Sequence, residues 1–265
     1  DMINMLIFSI LSALATGGAV ITSQNLGAKK NEEACRSAKQ LLLSVTIASI
    51  VITFMVIWGR IPLLKLFFGS IEADVMENAL MYLMISAVSF PFLAIYNACP
   101  SLFRSMGNAQ ITLKVSILVN LINVIGNAIC IFILHMGVAG VAIPTLLSRA
   151  MGGIILYILL KNPDNVVHFK KEPLRLEWSV IKKILYIGIP SGIENGIFQL
   201  GRVLVVSIIS GFGTVPIAAN GVGNNLDTMG CIVGQAISLA MITVIGQCVG
   251  AKDEKQIRYY TKRLL

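Results

Sequence analysis

The sequence predicts an all-α, polytopic membrane protein made of two pseudo-symmetric helical bundles, and three observations lead to this fold class. Hydrophobic residues make up 56% of the 265 residues and charged residues only 13%, whereas soluble domains carry about 25% charged residues. Seven apolar segments are long enough to cross a hydrocarbon layer. A short phrase at the end of one apolar run recurs near the end of the chain.

The repeated phrase reads QNLGAK at 24–29 and QCVGAK at 247–252, so four of six positions match at a separation of 223 residues. Each copy closes an apolar run of about 20 residues or more and opens a charged one. One period contains six apolar segments, and an even number returns the chain to the same side of the membrane. The phrase therefore predicts a parallel repeat of a six-helix unit.

The predicted spans lie, in chain order, at about 2–23, 40–58, 79–101, 112–134, 138–160, 184–210 and 215–247. We expect an N-terminal lobe at 1–160, a connection at 161–183 that contains Pro163 and Pro173, and the start of a C-terminal lobe at 184–265. We also expect truncation at both ends. The chain starts inside an apolar run without a methionine, and it ends directly after a basic cluster.

The distribution of basic residues predicts the orientation in the membrane. When alternate connections are assigned to opposite sides, 17 of the 21 Lys and Arg residues fall on one side. The other side has only Arg60 and Lys65, while Arg149 and Arg202 lie within spans. By the positive-inside rule, the basic side faces the cytoplasm. We therefore expect a multi-pass protein of the plasma or inner membrane, with the connection 161–183 in the cytoplasm.

Several functional classes find no support in the sequence. The net charge of +8 does not indicate nucleic-acid binding, since no basic stretch is interleaved with aromatic residues. The five cysteines and two histidines lack the spacing of a disulfide framework or a metal site. No Gly-rich phosphate loop or nucleophile elbow indicates an enzyme. We expect no cofactor, and any transport must be ion-coupled, facilitated, or energised by another subunit.

The predicted span 184–210 has one polar face. At 100° per residue, an arc of about 80° contains Ser191, Asn195, Gln199 and Arg202. Glu194 lies about 15 Å above the start of this span, near mid-membrane, and about 60° outside the arc. A carboxylate at that depth binds a cation, pairs with a base, or takes up a proton. Glu194 is therefore a candidate cation-coupling residue, and the four residues of the arc are candidates to line a cavity.

The next predicted span carries a second set of polar residues. An arc of about 60° contains Asn220, Asn224, Asp227 and Ser238. Asp227 is the second candidate for cation coupling, and Asn220 and Asn224 are candidates to line the cavity, because polar residues at membrane depth are tolerated where they face protein or water. The alternative is an ion pair of Arg202 with Asp227 or Glu194 that joins the two helices.

The predicted span 112–134 also has a polar face, which carries Ser116, Asn120, Asn123 and Asn127. These side chains could line a cavity or tie helices together. Interhelical hydrogen bonds of this kind contribute only about 0.6 kcal/mol on average, so energy excludes neither role. Arg149 has no acidic partner on its own side of the connection. We expect its partner to be a backbone carbonyl or a residue before Asp1.

Several phrases resemble the multidrug and toxic compound extrusion (MATE) family. They are, in order, QxxGA at 24–28 and 247–251, RSMGN at 104–108, GVAG at 137–140 followed by LSR at 147–149, and GIPS at 188–191. The resemblance covers essentially the whole chain. It implies twelve helices in two six-helix lobes around a central cleft, of which this chain would hold helices 2 to 8 and the start of 9. It also implies export of cationic or amphipathic compounds in exchange for sodium ions or protons.

The resemblance also implies roles for single residues. Some members couple protons through acids in helices 1 and 5, and the fifth-helix place is Asn127 here. Others use a glutamate of helix 7 for sodium, which Glu194 resembles, although the usual place is one turn further on, at Phe198. The implied coupling ion is Na⁺ or H⁺, and the expected partners are membrane lipid and a small cationic or amphipathic substrate, with no nucleic acid. We expect a monomer when the protein is full length.

Two other functions stay open at this point. A flippase for a lipid-linked precursor, from the related superfamily, needs a cationic cavity for a pyrophosphate, and only Arg149 and Arg202 lie within spans. A membrane scaffold without transport activity would move no substrate in response to a gradient. The small number of basic residues within spans favours the antiporter.

Overall fold

The computed structural model describes residues 2–68, 73–168, 175–210 and 214–264. Over these ranges the chain forms helices and no β-strand. The helices are α1 (Met2–Gly27), α2 (Asn31–Trp58), α3 (Arg60–Phe68), α4 (Ala73–Ser105), α5 (Ala109–Ala128), α6 (Ala139–Leu160), α7 (Trp178–Ser210), α8 (Thr214–Gly250) and α9 (Glu254–Leu264), with a π-helix (Ile129–Ile133) directly after α5.

Six described helical segments are long and apolar enough to cross a membrane: Asn4–Gly27, Asn31–Trp58, Met76–Ser105, Ala109–Ile133, Ala139–Leu160 and Ala219–Gly250. They confirm the predicted all-α, polytopic fold. The predicted span 184–210 lies within α7 and is not among these six, which are drawn from the described residues only. Lys170, Lys171 and Pro173 of the predicted connection lie outside the described residues.

The two copies of the repeated phrase end their helices in the same way. At the end of α1, the Lys30 amide donates to the Asn25 carbonyl at 2.9 Å, and Lys29 has a φ of 59°. At the end of α8, the Asp253 amide donates to the Cys248 carbonyl at 3.1 Å, and Lys252 has a φ of 57°. This is the pattern of a Schellman cap, in which a left-handed residue closes the last turn. The sequence repeat is therefore also a repeat of local structure.

The buried core lies where α1, α2, α4 and α6 meet. Its largest fully buried side chains include Leu11, Leu41, Phe90, Leu102, Phe103, Leu156 and Leu160. Two serines of α4 reach the backbone of α1: Ser101 donates to the Ala15 carbonyl at 3.3 Å and Ser105 to the Ala19 carbonyl at 3.2 Å. Small polar residues at four-residue spacing allow two membrane helices to approach closely and to share hydrogen bonds.

Both α7 and α8 lie against α1. The approach of α7 is closest at Gly17, where an added Cβ would overlap the carbonyl oxygen of Ile184 and lie 3.0 Å from the amide nitrogen of Gly188. An added Cβ at Gly188 would in turn lie 3.1 Å from the carbonyl oxygen of Ala13. These glycines let the two backbones touch, and the rest of α7 is positioned by this contact.

The described part of the connection between α6 and α7 is held against α2. The Gln40 side chain accepts a hydrogen bond from the Glu177 amide at 3.2 Å and donates to the Arg175 carbonyl at 2.7 Å. Val167 is fully buried, and its amide lies 3.3 Å from the sulfur of Met106. The end of the bundle that carries this connection also carries Lys29 and Lys252, and we call it the basic end.

Candidate functional site

The polar face predicted on α7 is only partly available to a ligand. Asn195 is exposed, but its side-chain amide donates to the Ser191 carbonyl one turn earlier at 2.8 Å. Ser191 and Gln199 are half-buried. The next glycine on the α1 side, Gly192, faces Ala13 with 3.2 Å from an added Cβ to the Ala13 Cβ atom. Gly188 and Gly192 therefore face α1, and the polar residues lie along the edge of this contact.

Arg202 and Asp227 join α7 to α8. Their closest side-chain nitrogen and oxygen atoms are 3.4 Å apart, and the side chains are 42% and 61% exposed. The guanidinium carbon of Arg202 also lies 5.4 Å from the ring centre of Phe198. Of the two acids proposed as partners of Arg202, the structure places Asp227 in contact. The charge of Asp227 is thus paired with that of Arg202, and Glu194 does not belong to this ion pair.

A pocket of about 450 Å³ lies between α7 and α8 at this ion pair. Its walls are mainly apolar, with Phe198 and Val205 from α7, and its polar groups are Arg202, Asn220 and Asn224. Three residues predicted to line a cavity are thus brought together. An apolar pocket with a few polar groups at its wall is typical of sites for small organic molecules.

Glu194 is exposed, and its carboxylate makes no hydrogen bond or ion pair with any residue that the structure describes. Residues four and seven positions apart lie on one helix face, so Glu194 shares a face with Phe198 and Gly201, both of which line the pocket. The α1 contact at Gly188 lies about 120° away around the helix. Glu194 therefore lies on the pocket side of α7, about one helical turn before Phe198 and two turns before Gly201.

Of the three asparagines of α5, one ties this helix to α6. The Asn123 amide donates to the Thr145 hydroxyl at 3.2 Å and to the Ser148 hydroxyl at 3.3 Å. Asn127 donates to the Asn123 side-chain oxygen at 3.2 Å. Asn120 is exposed and has no hydrogen bond to the described residues. Of the three asparagines, Asn120 alone has a side chain free to line a cavity.

Arg149 of α6 binds a side-chain hydroxyl group, whereas the sequence led us to expect a backbone carbonyl or a residue before Asp1. Its Nη1 donates to the Ser89 Oγ of α4 at 2.8 Å, and Ser89 in turn donates to the Ser86 carbonyl at 2.6 Å. The signal for this contact is weak in the sequence, because Ser89 lies 60 residues away and is uncharged.

Among the described residues, no group of three or more His, Cys, Asp or Glu side chains could hold a metal ion.

The apolar helices, the repeat and the pocket between α7 and α8 are features typical of multi-pass membrane transporters. The sequence model of the family described as MatE matches residues 1–129 and 190–265, so this chain belongs to the MATE family of transporters. This confirms the resemblance found in the sequence.

Relatives of this chain carry transporter names. It is 28% identical over 253 residues to the uncharacterized transporter YisQ of Bacillus subtilis (strain 168), an alignment that covers 94% of this chain and 55% of that protein. It is 26% identical over 262 residues to the probable multidrug resistance protein NorM of Thermotoga maritima, covering 95% and 54%. The chain therefore spans little more than half the length of these relatives.

A solved structure has the same fold. A MOP superfamily transporter from Pyrococcus furiosus superposes with a TM-score of 0.88 at 19% sequence identity, covering 98% of this chain and 57% of that one.

A double-mutant cycle tests the ion pair between α7 and α8. Arg202→Gln and Asp227→Asn should each lower the thermal stability of the full-length protein in detergent, because each leaves one charge without its partner. The double variant should lose less than the sum, with a coupling energy of about 0.5–3 kcal/mol. The control is the exposed pair of Lys30 and Glu33, 3.1 Å apart at the start of α2, for which we expect at most about 0.5 kcal/mol. If the losses of stability in Arg202→Gln and Asp227→Asn are additive, the two residues do not interact and the ion pair between α7 and α8 is refuted.

Proposed function

We propose that the full-length protein is a cation-coupled antiporter, driven by Na⁺ or H⁺, that exports cationic or amphipathic compounds across the cell membrane. Membership of the MATE family supports transport, and the name of the Thermotoga maritima relative supports drugs as the cargo. The orientation with the connection 161–183 in the cytoplasm follows from the positive-inside rule.

The observation that carries this proposal is the state of Glu194. An acid in a membrane-spanning helix binds a cation, takes up a proton, or pairs with a base. Arg202, the base considered as its partner, is bound to Asp227 instead. Glu194 is therefore left to a cation or a proton, and its state changes with the ion that is present. In this proposal Asp227 is the second acid of the coupling site.

The pocket between α7 and α8 supplies the substrate site of the proposal. Phe198 and Val205 offer apolar contact, while Asn220 and Asn224 offer hydrogen bonds. Because Glu194 lies on the same face of α7, its negative charge would attract a cationic substrate in the pocket, and a Na⁺ ion or a proton bound at the carboxylate would neutralise that charge. The loss of this attraction gives a physical basis for exchange, since binding of the ion favours release of the substrate.

The flippase is less well supported. A pyrophosphate needs concentrated positive charge, and the charge of Arg202 is compensated by Asp227. Arg149 lies in another predicted span, and it binds Ser89. One guanidinium does not make the cationic cavity that a lipid diphosphate requires.

Reconstitution of the full-length protein into liposomes tests the proposed function. We would impose a Na⁺ gradient at constant pH and, separately, a pH gradient at constant Na⁺, and follow a fluorescent cationic dye. We expect dye movement under one of the two gradients, which also identifies the coupling ion. Movement under neither gradient would contradict the antiporter, and movement of a labelled lipid diphosphate in the same vesicles would favour the flippase.

A further inference from the structure

The two copies of the repeated phrase contact each other. An added Cβ at Gly27 would overlap the carbonyl oxygen of Gln247 and lie 2.6 Å from its carbonyl carbon. An added Cβ at Gly250 would overlap the carbonyl oxygen of Gln24 and lie 2.7 Å from its carbonyl carbon. Each glycine thus lies against the glutamine backbone of the other copy. Such reciprocity is expected where two repeats are related by a twofold axis, because each repeat then contacts the other through the same residues.

Further contacts surround this pair of glycines. An added Cβ at Gly246 would lie 2.9 Å from the Cβ of Ser23. The side-chain amide of Gln247 donates to the Ser105 carbonyl at the end of α4, at 2.8 Å. In chain order, α1 and α4 belong to the predicted N-terminal lobe, and α8 belongs to the predicted C-terminal lobe. The glycine contact and the hydrogen bond therefore both join one predicted lobe to the other.

We infer that this contact, which we call the glycine clasp (Gly27, Gly250 and the backbones of Gln24 and Gln247), closes the basic end of the transporter and separates when that end opens. Transporters built from two repeats work largely by rocking one repeat against the other around a central site. A contact between repeats at one end cannot persist when the protein opens at that end. The inference rests on the proposed transport function for its role in a cycle.

The clasp is suited to a reversible closure. It brings two backbones together without interlocking side chains, so separation needs no side chain to be withdrawn from a pocket. Beside it, Ser23 faces Gly246 of α8, and its hydroxyl is buried with no hydrogen-bond partner among the described residues. Burial of an unpaired hydroxyl costs free energy, so Ser23 favours the separated state, while the clasp favours the closed one. These opposing contributions to the free energy keep both the closed and the separated state accessible.

A substitution at the clasp should therefore shift the balance between the two states. Alanine at Gly27 or at Gly250 places a methyl group on a backbone carbonyl, and this clash exists only in the closed state. Gln247→Ala removes the hydrogen bond to Ser105 without adding bulk. Both kinds of change should favour opening at the basic end, and the two glycine variants should behave alike because the contact is reciprocal.

Distances between spin labels in the full-length protein, in lipid bilayers, test the inference. With the native cysteines replaced, labels at Asn31→Cys and Glu254→Cys mark the exposed first residues of α2 and α9, which occupy equivalent places in the two repeats. We expect one dominant short distance in the parent. Gly27→Ala or Gly250→Ala should raise the ratio of long to short distances by at least about ten-fold. Gln247→Ala should raise it by about five-fold.

The matched control is Gly18→Ala, which also crowds α1. An added Cβ there meets the side chain of Leu41, 2.5 Å away in the same predicted lobe, so the distance distribution should stay that of the parent. Unchanged distances in Gly27→Ala, Gly250→Ala and Gln247→Ala, with the protein still folded, would overturn the inference. The measurement needs no substrate. Distances that respond in a protein without gradient-driven transport would count against the proposed function alone.

Discussion

Glu194→Gln is expected to lower gradient-driven efflux by the full-length protein by at least about ten-fold, because the side chain keeps its size but loses the charge that responds to the ion. Glutamine cannot bind Na⁺ as a carboxylate does, and it cannot take up a proton at physiological pH. Binding of the cationic dye itself should persist, since the pocket between α7 and α8 is unchanged. The measurement is the initial rate of dye efflux under the gradient found to drive the wild type.

The matched control for Glu194 is Glu77→Gln. Glu77 is also exposed, but it lies near the start of α4 and outside the pocket, so its loss should leave the efflux rate within about two-fold of the wild type. Glu194→Asp, which retains the charge on a shorter side chain, should keep part of the activity. A wild-type rate in Glu194→Gln would remove this carboxylate from the coupling mechanism.

Gly17→Ala is expected to destabilise the contact between α1 and α7. The added methyl group would collide with the carbonyl oxygen of Ile184, which is a backbone atom and cannot rotate away. Relief requires α7 to move off α1, and overpacking of this kind typically costs about 1–3 kcal/mol. We expect the apparent melting temperature of the full-length protein in detergent to fall by about 1–6 °C.

Gly196→Ala provides the comparison on α7 itself. No described atom lies within 4 Å of an added Cβ at Gly196, and alanine is a better helix former than glycine by about 1 kcal/mol. The melting temperature should therefore stay the same or rise. Equal losses in Gly17→Ala and Gly196→Ala would show that the contact between α1 and α7 is not tight.

The helix positions could be predicted closely wherever lipid alone imposes them. The predicted span 138–160 is α6, and the predicted span 112–134 is α5 with its π-helix. Predictions were poorer outside the hydrocarbon layer. α2 begins at Asn31 instead of 40, and α3 (Arg60–Phe68) was not predicted. The first turns of α2 are polar, so no apolar run marks them. α3 is apolar, but its nine residues are too few for a membrane span.

The site could be predicted as a set of residues but not as a set of contacts. The helical arcs indicated Arg202 and Asp227 as possible partners, yet the choice between Asp227 and Glu194 depended on the placement of α8 against α7. The two roles left open for the asparagines of α5 were likewise separated by geometry, since Asn123 reaches the hydroxyls of α6. Helical periodicity gives the face of one helix, and it says nothing about which helix is opposite.

The amino-acid sequence alone was enough to establish a helical membrane protein with an internal repeat. In the helices of a membrane bundle every backbone amide must bond within its own segment. A long run of apolar residues therefore forms a membrane-spanning helix. The pairing of helices depends on shape, because lipid offers no hydrophobic gain for one apolar face over another. The three-dimensional arrangement therefore settled which glycines meet which carbonyls, including the reciprocal contact of Gly27 with Gln247 and of Gly250 with Gln24.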